Sequence, residues 1–253
     1  MAGFLDRVSY ARSVCITAPL VFVATGVMGS ISLAGSLADS SGRFQHACAR
    51  LWGRVVLAIC GVRLKVSGAP DLRGNSPYVF FVNHQSHMDI PVVLAALPVS
   101  FRFAAKKELF RIPFLGWHLR RSGHIPVDRH NPHAAVKSFR GASESLRSGT
   151  SLVFFPEGGT SLDGTIKPFK GGGFALASRS HAEVVPVTIR GSRAVLLPKT
   201  YHVRGGPVEL ILGTPIPSQG STPGELTTRV RTEIVSTFEN GKTLDRNTHT
   251  VSR

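Results

Sequence analysis

The chain is 253 residues long and 42% apolar, with a mean hydropathy of +0.09, and carries 30 Lys+Arg against 15 Asp+Glu for a net charge of +15. That length buries a full core and excludes a disulfide-stapled mini-protein, and the apolar content excludes a disordered basic tail. The charge points to an anionic partner, whether nucleic acid, phospholipid or a phosphorylated substrate. Cys15, Cys48 and Cys60, with no CxxC pair, fit free thiols in a reducing compartment.

From Ser13 to Ala38 no charged residue occurs, and Leu20, Phe22, Val23, Val27, Ile31 and Leu37 fall in this run. As a helix it spans about 39 Å, more than the roughly 30 Å hydrocarbon core of a bilayer. Small residues at Ser36 and Ala38 allow a signal-peptide reading, but the run exceeds a typical hydrophobic region of about 7–15 residues. Arg7 and Arg12 precede it and Arg43, Arg50 and Arg54 follow, so the bulk of the chain leans towards the cytoplasm. Gly26, Gly29, Gly35 and several serines soften the span and leave an embedded hairpin open.

Phe44 to Cys60 places Leu51, Val55, Ala58 and Ile59 at helical spacing with Arg43, Arg50 and Arg54 on another face. A basic amphipathic helix in the headgroups and an ordinary packed helix with a solvated cationic face both fit. Residues 1–60 are therefore expected to form a membrane-associating helical region. After Gly61, short apolar runs alternate with helical stretches. Strands are predicted at Leu64 to Ser67, Tyr78 to Val82, Phe101 to Ala105, Ile125 to Val127, Leu152 to Phe155, Val184 to Ile189 and Val208 to Leu212. Helices are predicted at Met88 to Leu97, Pro132 to Arg147, Phe174 to Ser180, and from Thr222, Pro223 and Glu225 onward, where the Thr and Glu have capping-box spacing. The alternation implies an α/β domain over residues 61–240, a largely parallel twisted sheet flanked by helices. Residues 241–253 read as a polar tail.

Asn83-His84-Gln85-Ser86-His87-Met88-Asp89 follows the Tyr78 to Val82 strand. On an unbroken helix His84 and Asp89 would sit roughly 500° apart, a net ~140°, on different faces. They meet only if the chain turns between them, as at a strand-to-helix junction. A carboxylate can then orient an imidazole that removes a proton from a hydroxyl. A second strand ends in Pro156-Glu157-Gly158-Gly159-Thr160-Ser161, and parallel strands deliver their C-terminal ends to one edge, so His84 and Glu157 are expected to share a cleft. Gly123 to Arg129 and Lys167 to Gly173 add cations and glycines.

These blocks resemble the glycerolipid acyltransferases of the 1-acylglycerol-3-phosphate acyltransferase type, whose NHxSxxD, GxxxxxR, FPEGTRS and VPV pattern is matched in order by Asn83 to Asp89, Gly123 to Arg129, Phe155 to Ser161 and Val185-Pro186-Val187. The similarity extends through Lys106-Lys107-Glu108-Leu109 and Pro113 to Trp117. It implies that His84 is the general base on an acceptor hydroxyl and that Asp89 holds its other nitrogen. It further implies that Arg129 and a lysine of the Lys106-Lys107 pair meet phosphate and that Glu157 with Gly158 forms part of the acceptor pocket, and Lys106, Lys167 and Lys170 are further cations available to a phosphate. Acyl-CoA or acyl carrier protein would be the co-substrate, with no other cofactor and no bound metal. The partners would be a lysophospholipid acceptor and an anionic phospholipid membrane, with no nucleic acid. Where the family reads EGTRS this chain has Glu157-Gly158-Gly159-Thr160-Ser161, so a threonine stands at the usual arginine and the acceptor can be a different lysolipid.

The residues also allow plainer readings. His84, His87 and Asp89, joined by His118, His124, His130 or His133, could ligate a metal for a hydrolase, although HxxHxD is no established metal spacing. Gly171 to Gly173 fits a plain loop into a helix or a backbone site for an anion. Lys106-Lys107-Glu108 fits a solvated charge cluster. The absence of a GxSxG elbow favours direct attack by the acceptor over a serine acyl-enzyme. A basic module binding membrane or nucleic acid without turnover is the non-enzyme reading, and its base-readout motifs are missing.

Overall fold

A computed structural model of the chain describes residues 2–39, 41–68, 72, 77–128 and 132–248. It opens with one long helix, α1 (Ala2–Arg12) running through a π-helical turn at Ser13–Thr17 into α2 (Ala18–Gly35). The π turn lies just before Pro19, whose missing N–H and bulky ring disturb the ladder one turn back. No hairpin interrupts it. The helix α3 (Arg43–Ile59) follows, and then β1 (Val62–Ser67), β2 (Tyr78–Val82), α4 (Asp89–Ala96) and β3 (Phe101–Lys106). After a 3-10 turn at Lys107–Arg111 come α5 (Leu115–Arg121), β4 (Ile125–Val127), α6 (Pro132–Arg147), β5 (Ser151–Phe154), α7 (Gly172–Ser180), β6 (Glu183–Arg190), α8 (Ser192–Val195), β7 (Gly206–Leu212) and α9 (Pro223–Thr248).

The strands form one seven-stranded sheet in the order β1-β7-β6-β2-β5-β3-β4. All neighbours pair parallel except β6 and β7, so the expected α/β class holds with one antiparallel step. Three further outcomes differ in detail. α7 starts at Gly172 rather than Phe174, α5 and α8 are helices the pattern did not predict, and α9 continues through Thr248 into the stretch read as a tail. The capping box that starts α9 is present: the Thr222 N–H donates to Glu225 and the Glu225 N–H donates back to the Thr222 hydroxyl.

β2 is buried on both faces, which is why it reads as an unbroken apolar run. Tyr78, Phe80 and Val82 face a core that includes Val56 and Leu57 of α3 and Val92, Val93 and Leu94 of α4. Val79 and Phe81 face the opposite core with Phe174 and Leu176 of α7 and Leu226, Val230 and Ile234 of α9. Phe81 and Phe174 stack at 3.8 Å, and each fully buried side chain of this size contributes about 1.5–3 kcal/mol. β2 and β5 lie side by side with Phe81 opposite Phe154, so their C-terminal ends open on the same edge of the sheet.

The first-helix polarity is inverted for a water-facing helix. Ser13, Thr17 and Ser32 are buried against the domain, while Phe22 is 80% exposed and Val23, Val27 and Ile31 are also exposed. Both ends rest on the domain. Ser13 Oγ accepts the Val203 N–H at 3.1 Å, and Arg12 donates to the Val203 carbonyl at 3.1 Å. Further along, the Trp52 indole N–H donates to Thr25 and Ser32 meets His118 Nδ1, each at 3.0 Å.

His46 of α3 and His124 before β4 are buried against Phe101 and Phe103 of β3. Burial, reinforced by nearby cations, holds His46 down at about 4 and His124 at about 3. His124 Nδ1 accepts the Phe103 N–H at 2.9 Å, which requires the neutral ring. Below pH ~6.5 the unfolded chain takes up protons that the folded one refuses, so stability is full above that pH and is lost as pH falls. Denaturant midpoints compared at pH 7 and pH 5 are expected to show a loss of up to about 1.4 kcal/mol per pH unit for each histidine, smaller in His124→Asn. A flat profile over that range contradicts the two neutral histidines.

Candidate active site

Val82 ends β2, and the loop from Asn83 to Met88 carries the chain into α4. Asn83 fixes its start. The side-chain amide donates to the Ile189 carbonyl at 3.0 Å and its oxygen accepts the Ile189 N–H at 2.7 Å, a two-way clasp onto β6. Ser86 fixes the far side, donating to the Leu196 carbonyl at 2.7 Å while accepting the Met88 N–H at 3.1 Å. The turn that the His84/Asp89 spacing requires is therefore built, with His84 in the loop and Asp89 as the first residue of α4.

Asp89 is fully buried, and a single oxygen, Oδ2, receives three donors. The backbone N–H groups of Gln85 and Ser86 lie at 2.7 and 2.9 Å and His84 Nδ1 at 2.9 Å. With two N–H groups already on that oxygen, the third contact is read as an Nδ1–H donor, and in the neutral ring the lone pair then lies on Nε2. No described residue bonds Nε2, and the His84 side chain keeps 11% exposure. The ring lies flat on Phe155 at 4.2 Å, which in turn stacks on Phe103 of β3 at 6.0 Å. Orientation of the imidazole is thus set by one hydrogen bond and one ring face.

Glu157, one turn beyond β5, sits 5% exposed beside His84. Oε1 accepts the His84 N–H at 2.6 Å and Oε2 accepts the Lys167 N–H at 3.0 Å, so one carboxylate ties the loop after β2 to two points of the loop between β5 and α7. Burial pushes its carboxyl above the usual range, opposed by those two donors and by the nearby imidazole. The Ser161 N–H donates to the His84 carbonyl at 2.9 Å and closes the ring of contacts.

Gly158 adopts φ +76, and a Cβ there would lie 2.8 Å from Lys170 Cε, so glycine answers both the turn and the lysine above it. The Lys170 N–H donates to the Pro156 carbonyl at 2.9 Å. Lys167 Nζ donates to the Thr160 carbonyl at 2.8 Å, and Arg193 of α8 donates to the carbonyls of Ser161 and Leu162 at 2.9 and 2.6 Å. Hence His84, Asp89, Glu157, Gly158 and Lys170 are brought to one edge. Lys106 stands half exposed and pairs with Glu108 at 3.8 Å, and among the described residues no hydrogen bond or ion pair joins it to His84, Asp89, Glu157 or Lys170. Its neighbour Lys107 pairs with Asp128 at 2.5 Å. Arg129 lies outside the described residues. Gly173 lies against Phe81 and Phe154 at distances only glycine allows, a packing reason for that position. Among the described residues no three His, Cys, Asp or Glu groups are placed to share a metal ion.

The pattern-based reading gave no role to Asn83, Phe155 or Arg193. Asn83 had a signal, since a polar residue closing a run as apolar as Tyr78 to Val82 must find internal partners. Phe155 and Arg193 had none, because the ring stack and the clamp depend on how separate strands adjoin.

The Acyltransferase family profile matches residues 63–190. A chloroplastic 1-acyl-sn-glycerol-3-phosphate acyltransferase of Arabidopsis thaliana is 32% identical over 78% of this chain and 55% of its own length. The Saccharomyces cerevisiae 1-acyl-sn-glycerol-3-phosphate acyltransferase is 30% identical over 91% and 77%. The crystal structure of the 1-acyl-sn-glycerophosphate acyltransferase PlsC from Thermotoga maritima superposes with a TM-score of 0.80 at 26% identity, covering 92% of this chain and 98% of that one. Against the chloroplastic relatives of Arabidopsis thaliana and Brassica napus and the Chlamydomonas reinhardtii relative, the chain spans 55 to 62% of their length.

Glu157→Ala is expected to strand two buried backbone donors and lower unfolding stability by about 2–5 kcal/mol, read from denaturant midpoints, with Glu157→Gln losing less. An unchanged midpoint for the alanine variant rules out the two-loop tie.

Proposed function

The chain belongs to the Acyltransferase family, and on that premise we propose that it moves a fatty acyl group from a thioester, acyl-CoA or acyl carrier protein, to the free hydroxyl of 1-acylglycerol-3-phosphate, giving phosphatidate. The observation that carries this reading is the 2.9 Å contact from His84 Nδ1 to Asp89, with Nε2 left open. In the proposed reaction the acceptor O–H proton passes to His84 Nε2 as the oxygen attacks the thioester carbonyl. The tetrahedral intermediate collapses, the C–S bond breaks, and the thiolate leaves with the proton returned from the imidazolium. Asp89 compensates the imidazolium charge while it exists, and no cofactor beyond the thioester co-substrate takes part.

Glu157 and Gly158 shape the acceptor side of the cleft in this proposal, with Lys170, Arg129 and Lys106 as cations for a phosphate. One observation favours a second acceptor. The Glu157 to Ser161 loop presents Thr160 where the family carries arginine, and a hydroxyl cannot grip phosphate bidentately. A lysolipid with another headgroup fits the same catalytic pair.

We also propose a membrane-associated enzyme with its α/β domain on the cytoplasmic side. Asp6–Gly35 is long and apolar enough to cross a bilayer, and its outward face is apolar. Because both ends of that helix are bonded to the domain, the reading that fits is a helix lying along the membrane face with its apolar side in lipid.

Purified protein given labelled acyl-CoA or acyl carrier protein and a panel of lysolipids is expected to release free thiol and form diacylated product, most rapidly with the native acceptor. His84→Ala is expected to lower kcat/KM by about 10²–10⁴ with the fold intact by circular dichroism, and Asp89→Asn to lower kcat with KM nearly unchanged. Ordinary turnover by His84→Ala would overturn the base assignment.

A further inference from the structure

Apart from the first helix, large apolar side chains bunch at the surface on the segment between β3 and β4. Leu109, Ile112, Leu115 and Trp117 are 36, 47, 38 and 57% exposed. Single exposed apolar residues are ordinary, whereas a cluster marks a contact surface.

The backbone beneath them is strained in a way that presents them. Phe114 has φ 66 and ψ −60, and the Leu115 N–H donates to the Pro113 carbonyl at 2.8 Å. This is a γ-turn of the rare positive-φ kind, which persists only where its surroundings enforce it. α2 supplies the enforcement. The Phe114 ring lies on Gly29, where a Cβ would come within 2.4 Å of it, and one turn on Ser32 bonds His118 of α5. The turn is thereby locked beside the helix that carries exposed Val23, Val27 and Ile31, with exposed Arg111, Arg120 and Arg121 flanking it.

We infer that the Ile112 to Trp117 turn is a second lipid-inserting element, a wedge that enters the interfacial layer of an anionic bilayer alongside α2 with Trp117 at the headgroup boundary. A bilayer is the occupant that fits because the cluster adjoins a 30-residue helix apolar enough to cross a membrane, carries arginines at its margin, and includes the side chain that favours the lipid–water boundary. The inference rests on the membrane reading above and extends it from the helix to the α/β domain. It also couples the membrane to the site. β3 runs from Phe103, whose ring stacks on the Phe155 that backs His84, directly into the 3-10 turn and the wedge. Seating the wedge brings the His84 edge of the sheet to the lipid surface, where a lysolipid resides.

The chain has two tryptophans, so Trp52→Phe leaves Trp117 as the sole indole and Trp117→Phe leaves Trp52, which is held between α2 and α3. Each full-length variant is mixed with phosphatidylglycerol/phosphatidylcholine vesicles with or without bromine on the acyl chains, and binding is measured independently by sedimentation. Trp117 emission is expected to shift to the blue and be quenched about twofold or more by brominated lipid. Ile112→Asp/Leu115→Asp, with unchanged circular dichroism, is expected to weaken vesicle binding about tenfold. Protein that sediments with vesicles while Trp117 stays unquenched and the double aspartate variant binds like the parent overturns the wedge alone. A parent chain that does not sediment with vesicles overturns the membrane reading and the wedge together.

Discussion

The site depends on one oxygen. Asp89 Oδ2 receives the Gln85 and Ser86 N–H groups and His84 Nδ1, all within 2.9 Å, and that convergence folds the loop after β2 back on itself. A buried carboxyl without donors would be costly, so the backbone N–H groups are what allow Asp89 at zero exposure. Asp89 is also the first residue of α4, where the helix dipole favours an acidic side chain. The imidazole is therefore oriented by an acceptor that the fold itself already holds in place. The other carboxylate oxygen, Oδ1, is buried without a partner among the described residues, so the whole acceptor strength of the group falls on the side facing His84.

Around that pair the frame is made of backbone bonds from side chains on different strands. Asn83 ties the loop to β6, Ser86 ties it to the strand-like segment at Leu196, and Glu157 ties it to the loop after β5 and to Lys167. Each uses a buried polar side chain as a fastener between elements distant in sequence, and each is satisfied at both ends, which is the condition for such groups to rigidify rather than destabilise. On the proposed reaction this matters because a base displaced by about 1 Å loses much of its advantage.

Much of this was legible in the sequence. β2 and β5 announced themselves because strands buried on both faces must be continuously apolar, and the motif residues followed directly at their ends. α6 was bounded correctly by Pro132 at its start and Gly149 past its end. α5 was not found, because its seven residues turn Leu115 and Trp117 outward and so lack the periodic buried stripe that marks a helix. The antiparallel direction of β7 was equally hidden, since Val208 to Leu212 reads the same whichever way it pairs. At the site, His84 and Asp89 were found from spacing plus the strand-to-helix junction. The fastening roles of Asn83 and Arg193 needed the sheet order, which places β6 and its following helix next to β2. Lys106 is a different case: its charge and family position point to a phosphate ligand, and the structure sets it beside Glu108 at the surface.

The exchange of arginine for Thr160 is easier to understand from how its loop is held. The segment from Glu157 to Leu162 keeps its shape through main-chain acceptors: Arg193 on the carbonyls of Ser161 and Leu162, Lys167 on that of Thr160, and the Ser161 N–H on His84. None of these bonds uses the side chain at position 160, so a residue there can change without moving the loop or the His84–Asp89 pair. On the proposed reaction, choice of the acceptor headgroup and orientation of the imidazole are then physically separable, because the second is set by backbone fastened from behind. In that proposal the glycine and threonine at 159 and 160 are substitutions on a fixed frame, able to change the headgroup contact while the imidazole keeps its orientation.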